Sequence, residues 1–243
     1  MKITLNKDDF ANNVLLPVSK LSDNVSIDFY YDESSTPWAK TMVTSSDNST
    51  ILLSKSRCSL LEEPTKCIIP ECKTFLRLFS GIPQDNLCLH INQNKIEYKE
   101  KDFSFKYFLL DESYVVNKKS ISENKINSLC FDTTFKLTKQ KLSEIIKYNS
   151  IVPEAEKLYF YTTDNSVVVK LGDEQRSNVN EITTEASMEF EGPSIDSAIP
   201  INIQNVLLFS FNLDEILVSI NQSLKIFKFE TSNLTYIVSG LVK

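Results

Sequence analysis

Lys73 and Arg77 stand four positions apart in "ECKTFLRLF", the run from Glu71 to Phe79. At about 100° per residue, a helix sets these two cations side by side and turns Cys72, Phe75, Leu76 and Phe79 the other way. Two cations on one open face suit a phosphate, which they can hold without any catalytic step. The run "KQKLSEIIKY", Lys139 to Tyr148, follows a similar plan: Leu142, Ile145 and Ile146 turn inward, Lys147 lies on the open face, and Lys139 and Lys141 flank it. An earlier helix from about Phe10 to Val18, with Pro17 inside it, is expected to bury Phe10, Ala11, Val14 and Val18 and to leave Asn12, Asn13 and Lys20 outward. A fourth helix, short and neutral, exposes Gln204 and Asn205. For any single lysine a solvated helix face is a sufficient account. Their joint excess over Asp and Glu on the open faces, broken by Asp9 and Glu144, is less expected in a chain where 26 Lys and Arg meet 32 Asp and Glu, net −6. Such a chain is no polybasic nucleic-acid binder as a whole, so phosphate contact requires cations gathered on one face.

Other chemistry finds little footing. The single histidine, His90, sits inside an expected strand, where pairing in a sheet suits it better than proton transfer. No GxSxG elbow accompanies it. With four glycines (Gly81, Gly172, Gly192, Gly240), neither a P-loop nor a GxGxxG turn can be written. Five cysteines (Cys58, Cys67, Cys72, Cys88, Cys130) form no CxxC pair, and Cys67-x4-Cys72 with one distant histidine is a poor zinc set. The expectation is no enzyme, no metal, no cofactor and reduced thiols, as in the cytoplasm. No apolar run approaches the roughly 18 residues of a membrane span, and Asp8 and Asp9 stand where a signal peptide would be apolar.

The elements that position these residues occur twice. A shift of 132 positions carries Ile3-Thr4-Leu5-Asn6-Lys7 onto Phe135-Lys136-Leu137-Thr138-Lys139, each a strand ending on Asn or Thr, which can cap the helix that follows. The same shift carries Pro70-Glu71 onto Asn202-Ile203, each opening a helix. "INQNKIEYKEKDFSF" from Ile91 and "INQSLKIFKFETSNL" from Ile220 close the two copies at a shift of 129. Strands are expected at Lys2–Leu5, Val25–Tyr31, Trp38–Thr44, Thr50–Ser56, Lys66–Ile69, Asn86–Asn92, Lys95–Glu100 and Phe103–Leu110, then at Lys157–Thr162 and Ser166–Leu171 about a "TDN" turn. The fold class is α+β, with domains at 1–110 and 126–243 joined by a polar, lysine-rich connector, 111–125, read as extended.

The order strand, helix with a central Pro17, strands, helix, hairpin, run twice, resembles that of DNA sliding clamps, the polymerase processivity factors. "DESYVVNKK" followed by "FKLTKQKLSEIIKYNS" is similar to the T-even bacteriophage type, itself related in fold to proliferating cell nuclear antigen. The resemblance implies two tandem clamp domains, antiparallel sheets outside and two helices per domain facing a ring interior. Two copies per chain imply a homotrimer around duplex DNA, bound without sequence specificity. It implies a DNA polymerase and a clamp loader as partners, late-transcription factors by family resemblance, no membrane, and the host cytoplasm if the source is viral. DNA-facing residues would be Lys20, Lys73, Arg77, Lys139, Lys141 and Lys147. Partner peptides would enter between the connector, with Tyr114, Val115, Val116 and Ile121, and a closing strand carrying Leu241 and Val242. Subunits would join at Phe103, Phe105 and Tyr107, against a neighbour's edge strand within Arg176–Ser187. A monomeric accessory factor of the same double fold, with DNA on an open basic face, and a viral structural or adaptor protein are the alternatives.

Overall fold

Alternation of buried and open residues makes antiparallel strands throughout, and short helices cover their apolar faces. The computed structural model describes residues 1–111, 122–176, 178–209 and 215–241. Its contacts divide the chain into two units, Met1–Ser120 and Ile121–Lys243.

The first unit contains β1 (Lys2–Asn6), a continuous helical segment α1 (7–19), β2 (Val25–Tyr31), β3 (Pro37–Thr44), β4 (Thr50–Leu61), β5 (Thr65–Ile69), α2 (Cys72–Ser80), β6 (Asn86–Asn92), β7 (Lys95–Lys99) and β8 (Ser104–Phe108). Its strand order is β8-β7-β6-β1-β4-β3-β2-β5, antiparallel at every step. The core joins Ile3 and Leu5 of β1 to an aromatic cluster in which Phe10 stands 5.4 Å from Phe79, and Phe75 4.8 Å from Tyr107. Such pairs add about 0.5–1.5 kcal/mol each beyond their burial.

The second unit contains α3 (Glu123–Asn127), β9 (Thr133–Thr138), α4 (Lys139–Tyr148), β10 (Lys157–Thr163), β11 (Ser166–Gly172), β12 (Ile182–Ser187), β13 (Ile199–Asn202), α5 (Ile203–Leu207), β14 (Glu215–Asn221), β15 (Ile226–Glu230) and β16 (Leu234–Ser239). Its strands run β16-β15-β14-β9 and β12-β11-β10-β13. These orders repeat β8-β7-β6-β1 and β4-β3-β2-β5, so the sequence repeat is a repeat of topology. Phe160, Phe227, Phe229 and Tyr236 are buried at its centre.

Several expectations are corrected. Asn13, expected outward, is buried, because α1 carries a π turn at Ala11–Leu15 that rotates the later residues. Pro17 has no N–H to offer the carbonyl four residues back, and the Ser54 hydroxyl of β4 donates to that Asn13 carbonyl instead. β4 runs on to Leu61 rather than ending at Ser56, since its later residues pair with β1 (Leu5 with Cys58, Thr4 with Leu60). β8 stops at Phe108, where Leu109 donates its N–H to Asn94 and Leu110 donates to Ile68. Part of the extended connector is the helix α3, capped by Ser122 and pinned by buried Ile126. Asn205, expected exposed on α5, is buried.

The copies differ at the junction made by β4 and its counterpart. β4 bridges β1 and β3, whereas β12, its counterpart, pairs with β11 and meets β9 only through the Thr134–Glu191 bridge that follows it. Gly192 makes that return possible: its φ is +97°, and an added Cβ would lie 2.0 Å from the Asp132 carbonyl oxygen. Gly192→Ala is therefore expected to cost about 2–3 kcal/mol or more in denaturant unfolding. Gly81→Ala, at an ordinary helical φ, should stay within about 1 kcal/mol.

Burial pushes the thiols of Cys58, Cys67 and Cys72 up to about 12, so they are protonated and sheltered at neutral pH. Cys130 is exposed and Cys88 half-buried. Iodoacetamide on the native protein is expected to label Cys130 fastest and to reach Cys58, Cys67 and Cys72 only after unfolding, as read by peptide mass mapping. Early labelling of Cys72 would refute the packing of α2 against α1.

Candidate nucleic-acid interface

Three helices take their direction from the strand that runs directly into them. Asn6 closes β1 and accepts from the Asp9 N–H at 3.0 Å, so α1 begins on the strand's last residue. Thr138 does the same for α4, and Asn202 for α5. α2 has no side-chain cap. Its first turn is reached through Glu71 in the left-handed region (φ 45°), with the Cys72 N–H bound to the Asp23 carbonyl at 2.6 Å and the Tyr107 hydroxyl donating to Pro70.

That anchoring brings Lys73 beside Lys20, at the end of α1. The two line one cleft of about 360 Å³ with Ser22, Asp23, Asn24 and Ser46. Lys73 and Arg77 are exposed on α2, opposite buried Cys72, Phe75 and Phe79. Leu76 is only half-buried. Partial desolvation pulls the Lys20 amine below the ordinary lysine range, which an anion entering the cleft would reverse. The three cations expected in this unit thus share one surface, with Asp23 the carboxylate among them.

On α4, Lys139 and Lys147 are exposed, while Leu142 and Ile145 are buried. Lys141 is partly spoken for: its Nζ lies 3.0 Å from Glu144, which also accepts from Gln140 at 3.2 Å. Those bonds hold the Glu144 carboxyl below the usual range, the Lys141 bond foremost. An exposed pair of this kind is worth about 0–1 kcal/mol, so it weakens Lys141's call on an anion without abolishing it. The i, i+3 spacing was there to be read. α5 presents Gln204 and no cation.

Phe103, Phe105 and Tyr107 face inward. Phe105 packs on Tyr98 at 5.9 Å and on Phe75 at 6.4 Å, and Phe103 lies 6.2 Å from Tyr98. The residues of β8 turned outward are Ser104, Lys106 and Phe108, the last 68% exposed. Both β8 and β12 end their sheets, so each carries one ladder edge without a strand of its own unit. Leu241 lies past the end of β16 rather than on it, half-buried, with its N–H on the Pro200 carbonyl at 2.8 Å. Tyr114, Val115, Val116, Ile121 and Val242 lie outside the described residues. Among the described residues, no group of three or more His, Cys, Asp or Glu is placed to hold a metal, and no helix is long and apolar enough to cross a membrane.

The sequence matches no family model and no curated protein. The structure matches sliding clamps over essentially all its length. A Sulfolobus tokodaii PCNA2–PCNA3 complex superposes at a TM-score of 0.74 and 12% identity, covering 99% of each chain. PCNA from A. fulgidus, solved with the C-terminal region of FEN-1 bound, gives 0.76 and 10%, covering 100% of this chain and 98% of the other. The DNA polymerase sliding clamp of Bacillus subtilis gives 0.75 and 15%, with all of this chain covering 64% of that one. The fold is the clamp fold in two tandem copies.

Lys73→Glu with Arg77→Glu is expected to leave the melting temperature within about 2 °C, since both side chains are exposed. It should weaken duplex binding measured by fluorescence anisotropy and lower the salt slope by nearly two units, at about 0.9 per phosphate contact. An unchanged slope would remove both residues from the DNA-facing set.

Proposed function

We propose that the chain is a sliding clamp, a non-enzymatic protein that encircles duplex DNA and tethers a replicative DNA polymerase. The observation that carries this is the pairing of a doubled clamp fold with exposed cations on the helices, Lys73 and Arg77 on α2 and Lys139 and Lys147 on α4, in a chain of net charge −6. Contacts to phosphate position without reading sequence, which is what sliding requires. Lys20 and Lys141 complete the DNA-facing set.

Two copies per chain favour three chains per ring. The chain matches the archaeal clamps end to end but spans about two thirds of the bacterial ones, as two domains would against three. β8 is the edge we assign to the subunit joint, meeting β12 of the next chain by main-chain pairing. Phe103, Phe105 and Tyr107 would support that joint from beneath, because they pack inward. Likeness of "FKLTKQKLSEIIKYNS" to the T-even phage type supports a phage replication clamp served by a clamp loader. FEN-1 docking through its C-terminal region on the A. fulgidus neighbour supports tail-peptide docking here, with Tyr114, Val115, Val116, Leu241 and Val242 as the candidate residues.

Light scattering tests the assembly. The reading expects a mass about three times 27.8 kDa, and a Lys106→Pro variant, which removes an N–H from the open edge of β8 rather than from its ladder with β7, that is folded but monomeric. A wild-type mass of one chain would favour a monomeric accessory factor. Processivity assays with a cognate polymerase should then show loss with Lys73→Glu and Arg77→Glu at unchanged mass.

A further inference from the structure

The four strands β5, β2, β3 and β4 carry a second set of cations, on the face that the helices do not use. Ser54 and Thr41 mark the helix side: both are buried, and Ser54 reaches the α1 backbone. Residues one position away point the other way. Register places Lys66, Asp28, Lys40 and Lys55 in one row across the four strands, with Tyr30, Trp38 and Arg57 in the adjoining row. At about 4.8 Å per strand the first row spans about 14 Å. Lys55, Arg57 and Lys66 are exposed, while Tyr30, Trp38 and Lys40 are half-buried.

The aromatic rings are built in. The Trp38 indole N–H donates to Asp32 at 3.0 Å, and that carboxylate also accepts from the N–H groups of Ser34 and Thr36. The Lys55 ammonium sits 5.3 Å over the Trp38 ring, and the Lys40 ammonium 4.9 Å over Tyr30. Asp28 lies between Lys66 and Lys40 in the row, and Asp32 is committed to Trp38 and the turn. The face therefore keeps a net positive charge on a net-negative chain.

We infer that this face binds single-stranded nucleic acid, with bases stacking on Trp38 and Tyr30 and phosphates meeting Lys40, Lys55, Arg57 and Lys66. Charge complementarity selects a polyanion. The rings then select bases over the side chains of an acidic peptide, and a flat sheet face with rings suits splayed bases better than a closed duplex. Stacking requires Lys55 and Lys40 to swing off the rings. A cation–π contact at an exposed site is worth about 0.5–1 kcal/mol, and base–aromatic stacking about 1–3 kcal/mol per base, so the exchange is favourable. The displaced ammonium groups are then within reach of the phosphates flanking the stacked bases. This site is separate from the helix cations of the proposed DNA-encircling surface and does not depend on that reading.

Trp38 is the only tryptophan in the chain, so its fluorescence reports on this face alone. Titration with oligothymidylate of about 15 nucleotides should quench it, with affinity falling with salt at a slope near −3 if four phosphates are met at about 0.7 each. Lys55→Glu with Arg57→Glu should weaken binding at least tenfold and roughly halve the slope, and Lys66→Glu alone should lower the slope by less than one unit. Lys73→Glu with Arg77→Glu should leave the quench unchanged. No quench, sheet variants that bind as wild type, or helix variants that abolish the quench would each overturn the inference. So would polyglutamate competing at equal charge concentration as well as the oligonucleotide, which would make the face a site for acidic peptides.

Discussion

Three of the helices begin on the residue that ends a strand: Asn6, Thr138 and Asn202 each belong to a β ladder and cap the helix that follows. No loop intervenes, so the strand's register determines which way the helix leaves the sheet and which side it buries. This is the constraint on which the cation surfaces depend. A one-residue slip in β9 would turn every strand side chain over and deliver α4 from the wrong face. The slip is prevented by burial, since Phe135 and Leu137 are sequestered on one side of β9 while Lys136 and Thr138 stand open on the other. α2 lacks such a cap and compensates with backbone contacts: the Asp23 carbonyl holds its first N–H, and Tyr107 holds the carbonyl of Pro70. The same Asp23 lines the cleft where Lys20 and Lys73 meet, so one loop both starts α2 and shapes the anion surface.

The two copies show how a repeat tolerates divergence. Topology survives where a strand is paired on both sides in both copies, as β6 and β14 are, and β3 and β11. It loosens where a strand faces its neighbour over few residues. β4 is 12 residues long and ties two halves of a sheet together, whereas β12 has 6 and the chain returns to β9 through Gly192 and Pro193. The second unit replaces the lost ladder with side-chain bonds: Thr133 donates to the Pro193 carbonyl at 2.7 Å, and Gln222 donates to Thr133 at 3.0 Å. A hydrogen bond of this kind contributes about 1 kcal/mol, comparable with the ladder bond it replaces.

Much of this was legible in the sequence. The 132-residue shift located both copies because alternation and caps are local signals, carried by Ile3, Leu5 and Asn6 on one side and Phe135, Leu137 and Thr138 on the other. The exposed faces of α2 and α4 followed from 3.6-residue spacing. What stayed hidden depends on contacts distant in sequence. Asn13 is buried because the π turn at Ala11–Leu15 rotates it inward, where Ser54, far along the chain, donates to its carbonyl, and no window around Asn13 contains that partner. The end of β4 could not be read because its last residues pair with β1. The sheet cations were missed for the same reason: Lys40, Lys55 and Lys66 lie on three different strands and become neighbours only through register.

The strength of the helix cations also follows from their surroundings. If the chain forms the proposed ring, tight phosphate contact would gain nothing, because each strong contact adds a barrier to translation along the duplex. Lys141 shares its charge with Glu144, Lys20 is partly desolvated, and Asp23 stands in the cleft with Lys20 and Lys73. The exposed Lys141–Glu144 pair is worth about 0–1 kcal/mol, too little to abolish the attraction of Lys141 for phosphate. Exposed cations within a Debye length of about 8 Å act together at physiological salt, so a few of them suffice to attract phosphate to a net-negative chain. On the β2–β5 face Trp38 and Tyr30 add stacking to charge. A strand held there would be retained by affinity, whereas a duplex inside the proposed ring would be retained by topology.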